Sequence, residues 1–303
     1  MGCNHRAVFT LGPVQFCAPD PYGTIAAKRV SRLTEDFGMR VSVLASSSSG
    51  NATYIETPQH HVLMDAGLSG KKLNELLHSI GRDLKDVDSV FISHEHTDHC
   101  RGVGVLARRY PNLMVYANAP TIAALPKSVG KIPQEQLRVF DEGAQLDLGD
   151  LDVESFGVSH DAAQAQFYQF QHAGKRFAIV TDTGYVSDRV EGTIRDADAY
   201  VMETNHDLEM LREGPYPWPL KQRILGDFGH LSNEDGANAI MDVIGLKTKR
   251  VYLGHLSPHN NMKPLAHTTV VNLLKAQGLA VGHDFQVLDT DPAVADPLFT
   301  VGA

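Results

Sequence analysis

From Met39 onward the apolar positions fall into short runs divided by turn residues, and the spacing within each run predicts its element. Residues 41–45, 53–56 and 62–65 read as strands, and the Ser46–Asn51 stretch joins the first two. A Ser/Gly loop of this kind is commonly a plain tight turn, though its backbone N–H groups could also cradle an anion. Leu73, Leu76, Leu77 and Ile80 recur at i, i+3, i+4 and i+7, the apolar face of a helix that Gly81 ends. A strand at 90–93, a helix starting at Val103, a strand at 113–117 and a helix opened by Pro120 follow.

Strands are predicted at 137–140, 151–158, 165–171, 176–181, 199–203, 250–254 and 285–288, and helices at 207–212, 219–228, 234–244 and 265–277. Hairpins followed by alternating strands and helices, twice over, fit two β-sheets packed face to face with helices outside, although periodicity alone admits other α/β layerings. Residues 1–38 have no sustained periodicity and carry Gly12-Pro13, Pro19, Pro21 and Gly23, so they are expected to be an unstructured extension. Residues 39–303 are then expected to form a single domain, with Met39 as a possible functional start.

The chemistry concentrates in Ser93-His94-Glu95-His96-Thr97-Asp98-His99, just past the apolar Val90-Phe91-Ile92. A strand ends there, which puts the polar residues on a turn and not along one helix face. His94 and His96, two apart, could hold one cation while Asp98 and His99 turn toward a second, a spacing that suits two neighbouring metals.

Composition bounds the partners. The 303 residues are 43% hydrophobic and 21% charged, enough to bury a substantial core. A formal charge of −9 argues against a nucleic-acid binder that works by overall basic charge, so a local patch or the metals would have to attract phosphate. No apolar run approaches the roughly 20 residues needed to span a bilayer, so no membrane partner is expected. Cys3, Cys17 and Cys100 form no CxxC pair and point to a reducing compartment. With no signal-peptide pattern at the N-terminus, a cytoplasmic protein is expected. Cys100, beside the cluster, reads as a packing residue rather than a soft ligand.

The His-x-His-x-Asp-His pattern after an apolar strand resembles the signature of the metallo-β-lactamase superfamily of hydrolases. That resemblance implies a four-layer αββα sandwich whose remaining ligands come from later strand ends. His160 follows a strand in Val158-Ser159-His160-Asp161, Asp182 ends one in Ile179-Val180-Thr181-Asp182, and His255 ends one in Leu253-Gly254-His255. The expected assignment is His94, His96, His160 and Asp182 on one ion, and Asp98, His99, His255 and the shared Asp182 on the other. Two divalent ions are implied, Zn by the imidazole-rich ligation or Mn. Asp98 is also expected in the catalytic machinery, because a pair of cations lowers the pKa of a water held between them.

Finer motifs resemble the YycJ/WalJ-like group, related to the tRNA 3′-processing enzymes and to RNase J. They include Leu44-Ala45-Ser46-Ser47-Ser48-Ser49-Gly50-Asn51, Asp65-Ala66-Gly67-Leu68-Ser69-Gly70, Thr181-Asp182-Thr183-Gly184, Glu203-Thr204-Asn205-His206-Asp207, Gly229-His230-Leu231-Ser232-Asn233 and His255-Leu256-Ser257 with Asn260-Asn261. Ser47 and Thr204 depart from the group's usual Gly and Ser. The resemblance implies that His230 is not a ligand but donates to the scissile phosphate or leaving oxygen, with Ser232 or Asn233 capping the next helix. Asp65 is expected to accept an N–H from a ligand His. Asn205, His206, Asn260 and Asn261 are candidate supporting or substrate contacts.

A nuclease or phosphodiesterase acting on DNA or RNA is the expected function. The alternative is a small-molecule hydrolase of a thioester, lactone or cyclic phosphodiester. The stretch between Asp182 and His255 is too short for the inserted domain of RNase J-like enzymes. A di-iron oxygen-reducing member would want a carboxylate at position 96, where His96 stands. The oligomeric state is left open, a homodimer being one option.

Overall fold

The computed structural model describes residues 38–303, so the expectation for the N-terminal extension falls, apart from Gly38, outside the described residues. Among the described residues, fourteen strands form two sheets of seven. The first contains β1 (Arg40–Ala45), β2 (Ala52–Glu56), β3 (His61–Met64), β4 (Ser89–Phe91), β5 (Met114–Ala117) and β6 (Leu137–Val139). The second contains β7 (Gln145–Asp147), β8 (Asp152–Gly157), β9 (Gln166–His172), β10 (Lys175–Val180), β11 (Ala199–Glu203), β12 (Arg250–Gly254) and β13 (Gln286–Asp289). The last strand, β14 (Phe299–Thr300), returns to pair with β1, giving the orders β14-β1-β2-β3-β4-β5-β6 and β13-β12-β11-β10-β9-β8-β7.

Each sheet opens as an antiparallel meander and continues parallel. Strands β1 to β3 and β7 to β10 pair antiparallel, whereas β3 to β6 and β10 to β13 pair parallel. The period-2 geometry of the strands decides the layers. Val41, Val43, Ile55, Val62, Met64 and Phe91 point toward the second sheet and meet Val153, Phe170, Phe177 and Val201. The alternate residues Leu44, Tyr54, Leu63, Val90 and Ile92 point outward and are covered by Leu73, Leu76, Leu77, Val103 and Leu106 from helices Gly70–Ser79 and Val103–Arg109. Helices Asp188–Ile194, Asn233–Val243 and Lys263–Ala276 cover the second sheet with Ile194, Ile240, Val243 and Leu274. The result is the expected αββα sandwich. Strands buried on both faces explain why Ala199-Tyr200-Val201-Met202 is an unbroken apolar run rather than an alternating one.

Parallel strands place their carboxyl ends, and the loops that follow, on one edge of each sheet. Asp65 follows β3, the His94 cluster follows β4, Asp182 follows β10 and His255 follows β12. Asp65, Asp182 and His255 all have left-handed backbone, with φ of 62°, 52° and 57°. That conformation costs a non-glycine residue about 1–2 kcal/mol, and Asp, Asn and His tolerate it better than most. Among the described residues no helix is long and apolar enough to cross a membrane.

The segment before β14 clamps the edge of β1, because Asp296 N donates to Val43 O (2.9 Å) and Ser42 Oγ donates to Asp296 O (2.6 Å). Burial pushes the Asp296 carboxyl up to about 6, and its Oδ2 is buried with no hydrogen-bond partner. A carboxyl whose folded pKa is raised contributes stability at pH below its unfolded value, and that contribution is lost as pH rises through about 6. Asp296→Asn is therefore expected to raise the melting temperature at pH 7.5 but not at pH 4. Discounted for partial exposure, the gain is about 1 kcal/mol, or roughly 2–4 °C, measurable by circular dichroism.

Candidate metal centre

After β4 the chain leaves the sheet, bends at Glu95, is extended at His96 (φ −61°, ψ 144°) and then makes a single helical turn, Thr97–Cys100. The expected turn carrying Asp98 and His99 is thus a one-turn helix. The bend brings the His94 and His96 rings together, and the helix sets Asp98 and His99 beside them. This turn is locked from below: Asn51 N donates to Asp98 O and Ala66 N to His99 O, both at 2.8 Å. Gly67 passes so close that an added Cβ would stand 1.6 Å from Asp98 O, which is why no side chain fits there.

Three overlapping groups of donor atoms result, two of them made of the expected ligands. In the first, the His94 ring lies 4.5 Å from that of His96 and 5.0 Å from that of His160, and His96 Nδ1 is 3.3 Å from His160 Nε2. In the second, Asp182 Oδ2 is 3.2 Å from His99 Nε2 and Asp182 Oδ1 is 3.2 Å from His255 Nε2. Asp98 Oδ2 lies 3.5 Å from both of those ring nitrogens. The donors within each group are mutually within 4.8 Å. Asp182 joins the groups, its Oδ1 also standing 3.9 Å from His160 Nε2.

Four of the rings are held through the opposite nitrogen. His99 Nδ1 donates to Asp65 Oδ2 (2.7 Å), the contact expected of Asp65, and His94 Nδ1 lies 2.9 Å from Ser93 Oγ, which donates to Asp65 in turn. His160 Nδ1 donates to Gly229 O (3.3 Å) and His255 Nδ1 to Glu203 Oε1 (3.1 Å). Each contact leaves Nε2 facing inward, and the buried Nε2 atoms of His94 and His255 have no hydrogen-bond partner. Inward imidazole nitrogens with a shared carboxylate are the donor set of a divalent-cation site, and the residues fit it.

The electrostatics agree. Against burial, His255 and His99 hold the Asp182 carboxyl well below the usual range, and His99 and His255 do the same to Asp98. Although burial opposes the charge, Asp182 and its neighbouring carboxylates hold His99 well above its ordinary value and His255 at about 10. His94, buried and ringed by other imidazoles, is held well below. Protons and cations compete for such a cluster.

Glu203, the last residue of β11, has no role in the sequence reading. It is completely buried, and its Oε1 accepts from His230 Nδ1 at 2.8 Å and from His255 Nδ1. Its Oε2 accepts from Thr183 N (3.0 Å) and Leu231 N (3.3 Å). Burial raises its pKa, but His230 and His255 bring it to about 2, and Glu203 in turn holds His230 above its ordinary value despite burial. The available signal was a carboxylate ending an otherwise apolar strand. His230 falls in the third group, with Asp182, Glu203 and His255; its Nδ1 is directed at Glu203, and its ring stacks on that of His255 at 5.3 Å.

The cluster floors a recess of about 340 Å³ whose wall includes Ser48, Asn205, His230, Tyr216, Arg223 and Phe228. Asn205 donates to His255 O (2.8 Å) and Ser48 Oγ (3.3 Å). Three expected contacts lie elsewhere. Asn261 is turned inward, donating to Thr204 O (2.9 Å) and Asn233 Oδ1 (2.8 Å), and Asn260 donates to Ser257 Oγ (3.2 Å). The Asn261 side chain ties the loop after β12 to the loop after β11, that of Asn260 braces its own loop, and neither lines the recess. His206 is buried outside the recess wall, and burial lowers its pKa to about 4. Ser232 is the helix cap, accepting from Asp235 N at 3.0 Å. Cys100 is buried, donates to Glu95 O, has its thiol pushed up to about 12 by burial, and belongs to none of the donor groups.

This fold and this cluster define a divalent-metal-binding protein of the metallo-β-lactamase type, and the chain belongs to the beta-lactamase superfamily, whose domain model matches residues 60–256. Within that family it is 53% identical over 265 residues to the exodeoxyribonuclease WalJ of Streptococcus pneumoniae serotype 2, covering 87% of this chain and 98% of that one. It is 50% identical over 255 residues to the exodeoxyribonuclease YycJ of Bacillus anthracis, covering 84% of this chain and 96% of that one. Among solved structures the fold is shared with the short form of human tRNase Z (TM-score 0.56, 15% identity, 85% of this chain and 98% of that one).

Proposed function

We propose that the chain is a metal-dependent exodeoxyribonuclease that hydrolyses phosphodiester bonds of DNA. The observation that carries this reading is the approach of two ligand groups at Asp182 on the floor of an open recess, with His230, held by Glu203, beside them. The named activity of relatives at 50–53% identity supports DNA as the substrate. Two ions are proposed, one on His94, His96 and His160, the other on Asp98, His99 and His255, with Asp182 between; the donors suit Zn and admit Mn. Bound there, a pair of divalent ions supplies Lewis-acid polarisation of a phosphoryl oxygen and a water of lowered pKa. Asp65, Ser93, Gly229 and Glu203 fix the rings that present Nε2. Glu203 accepts the Nδ1 proton of His230 and stabilises the imidazolium, which leaves the second ring nitrogen to protonate the departing oxygen.

The test is hydrolysis of bis-p-nitrophenyl phosphate, labelled DNA and labelled RNA with Zn or Mn added, and with His94→Ala as control. DNA is expected to be shortened from an end, with activity lost on chelation and in the variant. Turnover of thioesters or lactones with none of phosphodiesters overturns the reading. Residues 39–303 are proposed as the catalytic unit: a chain begun at Met39 is expected to keep its melting temperature and its rate.

A further inference from the structure

One exposed aromatic side chain, Phe228, lines the recess, and another, Tyr185, shares with it the hollow next door. Among the described residues three are exposed, Tyr185 at 50%, Trp218 at 60% and Phe228 at 62%. All three belong to two short stretches bordering the metal centre, the one that follows Asp182 and the one that leads into His230. Most large aromatics elsewhere are packed, as Phe91, Phe170 and Tyr168 are between the sheets. Phe228 occupies a particular place. It lines the recess over the cluster and also a second recess of about 290 Å³, whose wall includes Ser159, Ser187 and Tyr185. The two hollows therefore meet at the Phe228 ring, and Tyr185 stands at the next position outward.

The backbone carrying these rings is tightly fitted. An added Cβ on Gly184 would stand 2.2 Å from Asp227 O, and one on Gly229 would stand 2.1 Å from Ile224 O. Gly184 N donates to Ser159 O (3.0 Å), His230 N to Ile224 O (3.0 Å) and Thr183 Oγ1 to Tyr185 O (2.7 Å). The rings are thus displayed by a close-packed frame next to the ligand Asp182.

Charge decides what kind of occupant fits. The chain carries a formal −9, and the second recess contains Glu142, so a basic groove does not hold a polyanion here. The nearest cation on the wall, Arg223, is already paired with Asp161. Binding of a nucleic-acid strand would have to draw on stacking, which every base provides through its π-face and which aromatic side chains return at about 1–3 kcal/mol per base. Only unpaired bases offer that face.

We infer that Phe228 and Tyr185 form a two-step stacking platform for unpaired bases beside the scissile phosphodiester, so that the substrate is a single-stranded or frayed DNA end. This rests on the nuclease reading and adds the strand form and the residues that select it. Phe228 receives the base nearest the cluster and Tyr185 the next.

The experiment compares single-stranded oligonucleotides with the same strands carrying abasic residues at the first three positions from either end. For the full chain loaded with Zn or Mn, Phe228→Ala is expected to lower kcat/KM on the base-bearing strand about 5- to 150-fold, mainly through KM. The loss is expected to shrink to near nothing on the abasic strand, and Phe228→Trp is expected to restore most of the rate. Tyr185→Ala gives a smaller loss of the same kind, and thermal melting of each variant checks its fold. Equal losses on both strands, or none on either, overturn the stacking platform while leaving the nuclease intact. A wild-type chain that cleaves no DNA strand overturns the nuclease reading and this inference together.

Discussion

Asp182→Asn is expected to cut phosphodiester hydrolysis by on the order of 1,000-fold and to leave the protein with fewer than two bound ions per chain. Asn is chosen because it keeps the shape of the side chain and tolerates the left-handed backbone (φ 52°) that Ala would strain. The change therefore isolates the charge. Asp182 belongs to the second ligand group, with Oδ2 at 3.2 Å from His99 Nε2 and Oδ1 at 3.2 Å from His255 Nε2, and reaches toward the first, its Oδ1 3.9 Å from His160 Nε2. Removing its anion leaves no carboxylate between two sets of inward nitrogens, and lost metal stabilisation of several kcal/mol corresponds to that rate factor. Initial rates and elemental analysis of metal content check it. A variant with full metal content and wild-type rate would show that Asp182 does not join the two groups.

The second large effect separates proton transfer from metal binding. His230→Ala is expected to lower kcat on DNA by about 100- to 10,000-fold while metal content stays at the wild-type level. Its loss on bis-p-nitrophenyl phosphate is expected to be much smaller, because p-nitrophenolate departs without being protonated. Glu203→Gln should show the same substrate contrast at about 10- to 100-fold, since Glu203 acts through the rings it holds. If His230→Ala slowed both substrates equally, the ring would be supporting the centre and not protonating the departing oxygen.

Much of this was legible in the sequence because the chemistry follows the strand pattern. His94, His160, Asp182 and His255 each stand where an apolar run stops, and in a sheet whose parallel strands end on one edge such residues are brought together however far apart they are in the chain. Strands β11 and β12 match their predicted spans at both ends, and most others differ by one or two residues. Strands β7 and β14 were not predicted; three- and two-residue edge strands carry too little pattern to be seen. Glu203 was missed for a related reason: a lone carboxylate has no spacing signature, and its role exists only once β11 lies beside the His230 and His255 loops. Asn260 and Asn261, read as supporting or substrate contacts, stand away from the recess wall. The Asn261 amide joins two loops through Thr204 O and Asn233, and the Asn260 amide binds Ser257 in its own loop.

The left-handed turns at Asp65, Asp182 and His255 set the latitude for redesign. A β-branched side chain at any of the three would clash with its own main chain, so the repertoire there narrows to Asp, Asn, His and Gly before any cation is considered. Retuning the centre for another metal would therefore have to work through positions 94, 96, 98, 99 and 160, where the backbone imposes no such veto.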